Sequence, residues 1–273
     1  MKQRNNSIDA IKGIAILLVM FGHVFVHNHM EDPYIYDFIK AVQMPLFIII
    51  SGYLCGRGRT ISNIKEYGAV MKKRVIAYIV PFFVWLTVMH LDNLAEAYKT
   101  VFVQLDYGLW FLGVLFILTF MVYTAQLIVG MLNIKNKLLS ELVFWMAYGA
   151  LSFVLVVQII TGNSILSPYL TVIYVPFYML GYVFGNYGKK ILCWGTKEER
   201  KLDCKNTPIV QLLVLCAFVV FLYLIAAKNL NSMETKMDTL IQMAASVFGC
   251  TGIIYGVLLL KEGKLKNIFA KIG

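Results

Sequence analysis

Long apolar runs separated by short polar connections set the pattern of this chain. The runs are Asp9–Val26, Phe38–Cys55, Arg74–His90, Tyr107–Met131, Leu142–Ile160, Tyr169–Phe184, Pro208–Ala227 and Leu240–Leu260. They approach or reach the length of a bilayer-spanning helix. Strand-length alternation at period two is too sparse to suggest a barrel. Pro81 and Pro176 fall within spans and predict kinks there. The pattern predicts an all-α polytopic membrane helical bundle with about eight transmembrane helices. Short uncharged connections, such as Thr161–Pro168, predict one compact domain over 1–273. No inverted repeat of the transporter kind is evident.

Composition turns that pattern into a class. Of the 273 residues, 59% are hydrophobic and 15% charged, and the mean hydropathy is +0.72. A soluble domain of this length has too little interior for so much apolar surface. The net charge of +10 raises the question of a nucleic-acid partner, and its distribution answers it. Assigning loops alternately to two sides places 21 of the 25 basic residues on one side. They include Lys2, Arg4 and Lys12, the cluster from Arg57 to Arg74, the loop from Lys189 to Lys205, and the tail from Lys261 to Lys271. Only Lys40, Lys99, Lys228 and Lys236 fall opposite. This is the asymmetry of a multi-pass protein with both termini in the cytoplasm. The bilayer, and no nucleic acid, is the partner it implies. The first run is too long for a signal peptide and lacks a small-residue cleavage site, so it reads as an uncleaved span. Five cysteines show no CxxC pair; Cys193 and Cys204 fall in the Lys189–Asn206 loop, and free thiols are expected throughout.

Three features can carry chemistry. Along the first span, the step from Lys12 to His23 is three helical turns plus roughly 20°. The two residues therefore share a face, with Asp9 and His27 near it. His23 lies roughly 16 Å deeper than Lys12, near the middle of a hydrocarbon core about 30 Å thick. An imidazole at that depth reads as functional, able to act as general base toward a hydroxyl. The alternatives are a histidine satisfied inside the bundle, an Asp9–Lys12 pair at the membrane edge, and a snorkelling Lys12. Secondly, RGRTISNIKEYGAVMKKR (Arg57–Arg74) sets six basic residues against Glu66. It suits a polyanionic nucleotide, and equally a topology signal facing anionic lipid. Lys72-Lys73-Arg74 is its sharper part, expected at the N-terminus of the third span. Thirdly, MPLFIIISGYL, YGLWFLGVLF and VPFYMLGYVFG read as small-residue packing sites with interfacial aromatics. His23, His27 and His29 lack an HExxH pattern, and a third ligand would have to come from Glu31, Asp32 or His90; no metal site is expected.

The stretch RNNSIDAIKGIAILLVMFGH resembles the opening helix of the acyltransferase family 3 membrane proteins. The matching positions are Arg4, Asp9, Lys12-Gly13 and Gly22-His23. FIIISGYL resembles that family's second-helix signature. Lys72-Lys73-Arg74 followed by Pro81-Phe82 is similar to its third-helix entrance, and LWFLGVLF and PFYMLGYVFG resemble further family patterns. The resemblance implies transfer of an acyl group, commonly acetyl, from cytoplasmic acyl-CoA to a hydroxyl of an envelope carbohydrate, in a bacterial plasma membrane. It implies His23 as base or acyl relay with Asp9 and Lys12 beside it, and Lys72, Lys73 and Arg74 as donor-holding residues. Acyl-CoA is then a substrate, and no cofactor is permanently bound. Two departures accompany the likeness. Lys12 stands where many members carry Arg, keeping the charge without the bidentate fork. The tail KEGKLKNIFAKIG ends where the family usually continues, eight spans against a usual ten. A proton-linked carrier using Asp9, Lys12 and His23 as a relay, or an inactive fragment, are the alternatives.

Overall fold

The computed structural model describes residues 6–28, 33–105, 109–188, 207–227, 236–260 and 263–273. All regular structure among them is helical. The helices are α1 (Asn6–His27), α2 (Pro33–Gly56), α3 (Ile64–Arg74), α4 (Val80–Met89), α5 (Leu94–Val101), α6 (Trp110–Met131), α7 (Lys137–Ile160), α8 (Pro168–Tyr187), α9 (Thr207–Ala227), α10 (Lys236–Leu259) and α11 (Lys264–Ile272). Within the described residues, seven of the eight predicted spans lie on one long helix each, and the third, Arg74–His90, is divided between the end of α3, a π-helical turn and α4. Six of the helices, α1, α2, α6, α7, α8 and α10, are long and apolar enough to cross a membrane. The helices α5 and α11 were not expected, because each is short and part polar.

The third predicted span differs most from expectation. The helix does not begin near Arg74; it begins at Ile64, and Lys72-Lys73-Arg74 form the last turn of α3. The reason is local. Asn63 caps the helix, its side chain accepting from the Glu66 backbone N–H at 2.9 Å. The Glu66 carboxylate in turn accepts from the Ser62 backbone N–H at 3.1 Å and the Ser62 hydroxyl at 3.0 Å. This variant of the capping box starts the helix some ten residues before the apolar run. Between α3 and α4 the chain makes a π-helical turn, Val75–Ile79, closed by the Val80 N–H bonding to the Val75 carbonyl. Pro81 lies just beyond. It has no N–H, and its ring crowds the carbonyl four residues back, which a widened turn relieves.

The chain divides into two compact units, one of Met1–Tyr53 with Gly181–Gly273, the other Leu54–Leu180. In the first, α1 packs on α11 and α10, and α9 packs on α10. Glycines permit the close approaches. A Cβ on Gly181 would overlap the Ile49 carbonyl of α2, and one on Gly13 the Phe269 carbonyl of α11. Phe221 of α9 is fully buried against Phe38, with ring centroids 5.4 Å apart. In the second unit, α6 is the central element. It packs on α7, α3, α4 and the π turn, and buries Val114, Leu118 and Val122 completely.

Candidate functional site

Two sets of candidate residues lie in different units and are taken separately. In the first unit, Asp9 is buried near the start of α1 and forms an ion pair with Lys12, Oδ1 to Nζ, at 3.1 Å. Residues three apart on a helix are neighbours, so this pairing follows from their spacing. His23 and His27 are exposed among the described residues, their rings stacked with centroids 6.3 Å apart. His23 is therefore not satisfied inside the described bundle. Its chain neighbour Gly22 is buried against the side chain of Gln43 on α2. The Gln43 Oε1 atom is buried and has no hydrogen-bond partner among the described residues. An acceptor is thus held beside the helix turn that carries the imidazole. No three His, Cys, Asp or Glu side chains are grouped as metal ligands among the described residues. Arg4, His29, Glu31, Asp32 and the Lys189–Asn206 loop with Cys193 and Cys204 lie outside them.

In the second unit, the basic run divides by direction. Lys72 and Lys73 are exposed. Arg74 turns inward, donating from Nη1 to the Tyr78 hydroxyl at 3.2 Å and from Nη2 to the Tyr123 hydroxyl at 3.3 Å. Its guanidinium also lies 5.8 Å and 5.9 Å from the centroids of the same two rings. Both partners are neutral phenols, and no carboxylate lies within ion-pair distance of Arg74 among the described residues. An inward guanidinium held this way keeps its charge and retains donors for an anion. Cys55, at the end of α2, is a buried free thiol. The Tyr178 hydroxyl pairs with Thr119 Oγ1 at 3.0 Å.

The loop leading into this helix is anchored to the end of α6. The Ile61 N–H donates to buried Gln126 Oε1 at 3.2 Å, and the Tyr67 hydroxyl pairs with Thr124 Oγ1 at 3.1 Å. Gly130 lets the Ser62 backbone approach, since a Cβ there would fall 2.6 Å from Ser62 Cα. Arg59 pairs with Glu66 at 2.7 Å. Glu66, outside the spans, has its carboxyl held below the usual range, first by the Ser62 backbone N–H and then by the Ser62 hydroxyl. The sequence reading singled out Arg74 as a candidate and did not reach the two tyrosines that hold it. Tyr78, four residues on, was available from helical spacing; Tyr123 is distant in the chain and gave no signal.

The profile of the acyltransferase 3 family, described as an acyltransferase domain, matches residues 5–273. Over 173 residues the chain is 27% identical to the nodulation protein NolL of Sinorhizobium fredii (strain NBRC 101917 / NGR234). The match covers 61% of this chain and 39% of that protein. No solved structure matches the chain.

Proposed function

We propose, since the chain belongs to the acyltransferase 3 family, that it transfers an acyl group, acetyl in the first instance, from cytoplasmic acyl-CoA to a hydroxyl of a cell-surface carbohydrate. The setting is a bacterial plasma membrane, with both termini in the cytoplasm, as the basic-residue asymmetry favours. The observation that carries the donor half is the division of the basic run. Lys72 and Lys73 are exposed ammonium groups, suited to the phosphates of a CoA nucleotide. Arg74 adds a guanidinium whose hydrogen-bond partners are uncharged. Buried carboxylates would have neutralised it; phenols leave it positive for an anionic substrate.

His23 supplies the base. Its imidazole takes the proton of the acceptor hydroxyl as the oxygen attacks the thioester carbonyl. The carbon–sulfur bond breaks, CoA leaves as a thiolate and recovers a proton, and the acyl oxygen ester remains. Lys12, paired with Asp9, holds a fixed positive charge at the start of the same helix. Removing a general base typically costs a factor of about 100 to 10,000.

The test is turnover of [14C]acetyl-CoA by purified protein in proteoliposomes, hydrolysis without acceptor included. Wild type is expected to turn over donor, and His23→Ala to lose at least about 100-fold at normal membrane insertion. Equal turnover in His23→Ala would remove the base assignment. No turnover by well-folded wild type would remove acyl transfer itself.

A further inference from the structure

The second unit carries a cleft of ≈ 470 Å³ between the end of α7, the start of α8 and the segment after α5. Its volume is in the range of small-molecule sites, about 300–1,000 Å³. Its position is set by α6. The basic loop meets Gly130 near the C-terminal end of that helix through Ser62. The cleft lies at the other end, where Leu105 packs on Gly113 and its N–H donates to Ser167 Oγ at 3.0 Å. From Gly113 to Gly130 the helix rises about 25 Å, close to the thickness of a hydrocarbon core, about 30 Å.

The lining of the cleft is chemically distinct from the basic end. None of the described residues that line it is charged. Val103 and Ile159 form apolar wall, while Asn163, Ser164 and Tyr169 supply polar groups. The Asn163 side-chain oxygen accepts from the Ile165 N–H at 3.0 Å, so that bond does not occupy its amide N–H donors, and the residue is exposed. The hydroxyls of Ser164 and Tyr169 have no hydrogen-bond partner among the described residues, and Tyr169 is 60% exposed. The backbone is pre-organised. Leu166 and Ser167 hold φ of 61° and 46°, a region that side chains other than glycine rarely occupy. They are held there by the Leu166 N–H bonding to the Phe102 carbonyl at 2.7 Å and by the Ser167 bond to Leu105. Strain maintained by surrounding contacts is a feature of ligand sites.

A pocket with no charged side chain among the described residues, one exposed aromatic face and amide and hydroxyl groups is poorly suited to a polyanion. It matches a neutral sugar ring, whose C–H face stacks on an aromatic and whose hydroxyls take hydrogen bonds. We infer that this cleft binds a neutral pyranose of the carbohydrate acceptor, with Tyr169 against the ring and Asn163 and Ser164 on its hydroxyls. This rests on the carbohydrate-acylation reading above, and it sets acceptor and donor recognition at opposite ends of α6.

The experiment is saturation-transfer NMR on the full chain in nanodiscs. The probes are the methyl pyranosides of glucose, galactose, mannose, N-acetylglucosamine, rhamnose and fucose. At least one is expected to receive saturation from wild type, with the effect reduced at least fivefold in Tyr169→Ala and in Ser164→Trp. Both positions are exposed, so monodisperse, inserted variants are expected. Silence of all six probes against folded wild type would overturn the inference, as would undiminished transfer in both variants. Turnover of [14C]acetyl-CoA by the same wild-type nanodiscs separates the two readings. Sugar binding that depends on Tyr169 without donor turnover supports the cleft and sinks acyl transfer; donor turnover without sugar binding sinks the cleft alone.

Discussion

Arg74 and Glu66 show how single residues convert a run of charge into a shaped surface. Six basic residues between Arg57 and Arg74 are indistinguishable by composition, yet they make different contacts. Arg59 is tied to Glu66 at 2.7 Å, Arg74 is drawn inward by two phenols, and Lys72 and Lys73 remain in the open. The helix carrying the last three depends on its cap. Asn63→Ala removes the acceptor for the Glu66 N–H and is expected to cost about 1 kcal/mol, as helix caps generally do. Faster hydrogen exchange over 64–67 would report it. The Glu66 carboxyl is lowered from 4.5 by hydrogen bonds that favour its charged form. A group whose folded value lies below its unfolded one contributes stability above the unfolded value and loses it as pH falls through the folded one. Protection of residues 62–67 is therefore expected to hold at neutral pH and weaken as pH drops below about 4.5. Glu66→Gln should flatten that dependence; an unchanged pH profile in this variant would mean the carboxylate does not hold the loop. At this scale the sequence was partly legible. The spacing of Asn63 and Glu66 is a readable capping pattern, whereas Tyr123 reaches Arg74 only through tertiary packing.

At the scale of elements, apolar periodicity located seven long helices, six of them long and apolar enough to cross a membrane, because a helix in lipid must satisfy its backbone internally and declares itself by length. It missed what short polar segments do. The helix α5 is capped by Asn93, whose side chain accepts from the Glu96 N–H at 3.4 Å, and α11 lies against α1; neither has a span-length run to reveal it. Pro81 was legible as a break but its form was not, since a widened turn and a sharp kink relieve the same crowding. Small residues were more informative. Gly181, within the PFYMLGYVFG segment read as a packing site, allows the Ile49 carbonyl of α2 to touch α8. Gly181→Ala forces backbone apart rather than a flexible side chain. It is expected to destabilise the protein by about 1–3 kcal/mol, the usual cost of overpacking, seen as a lower thermal midpoint in detergent. Gly149→Ala, where nothing lies within contact of the added methyl, is the matched control and should leave the midpoint unchanged or raised. Equal midpoints for the two variants would show that the helices separate freely at Gly181.

At the scale of the molecule, the distribution of charge does the explaining. The chain keeps a net charge of +10 in a protein whose regular structure is helical and mostly apolar. Such a surplus is tolerable where lysine and arginine can face water and anionic headgroups, and the proposed topology gathers it on one side. The second unit displays a like division along one helix, with the Arg57–Arg74 segment at one end of α6 and, at the other, a cleft without charge among the described residues. If α6 crosses the bilayer, the two ends must meet opposite compartments. Lys65 and Ser164, both exposed, report on them without touching buried contacts. In a background with Cys193, Cys204 and Cys216 replaced by alanine, Ser164→Cys is expected to react with a membrane-impermeant maleimide on intact cells. Lys65→Cys should react only after the membrane is opened. Cys55 and Cys250 are buried and should stay silent under both conditions. Labelling of both positions from outside would place the basic loop and the cleft in one compartment. Donor and acceptor would then be recognised on a single side of the membrane. Reversed labelling would put the excess of basic residues outside, away from cytoplasmic acyl-CoA, and with it would go the donor role of Lys72, Lys73 and Arg74.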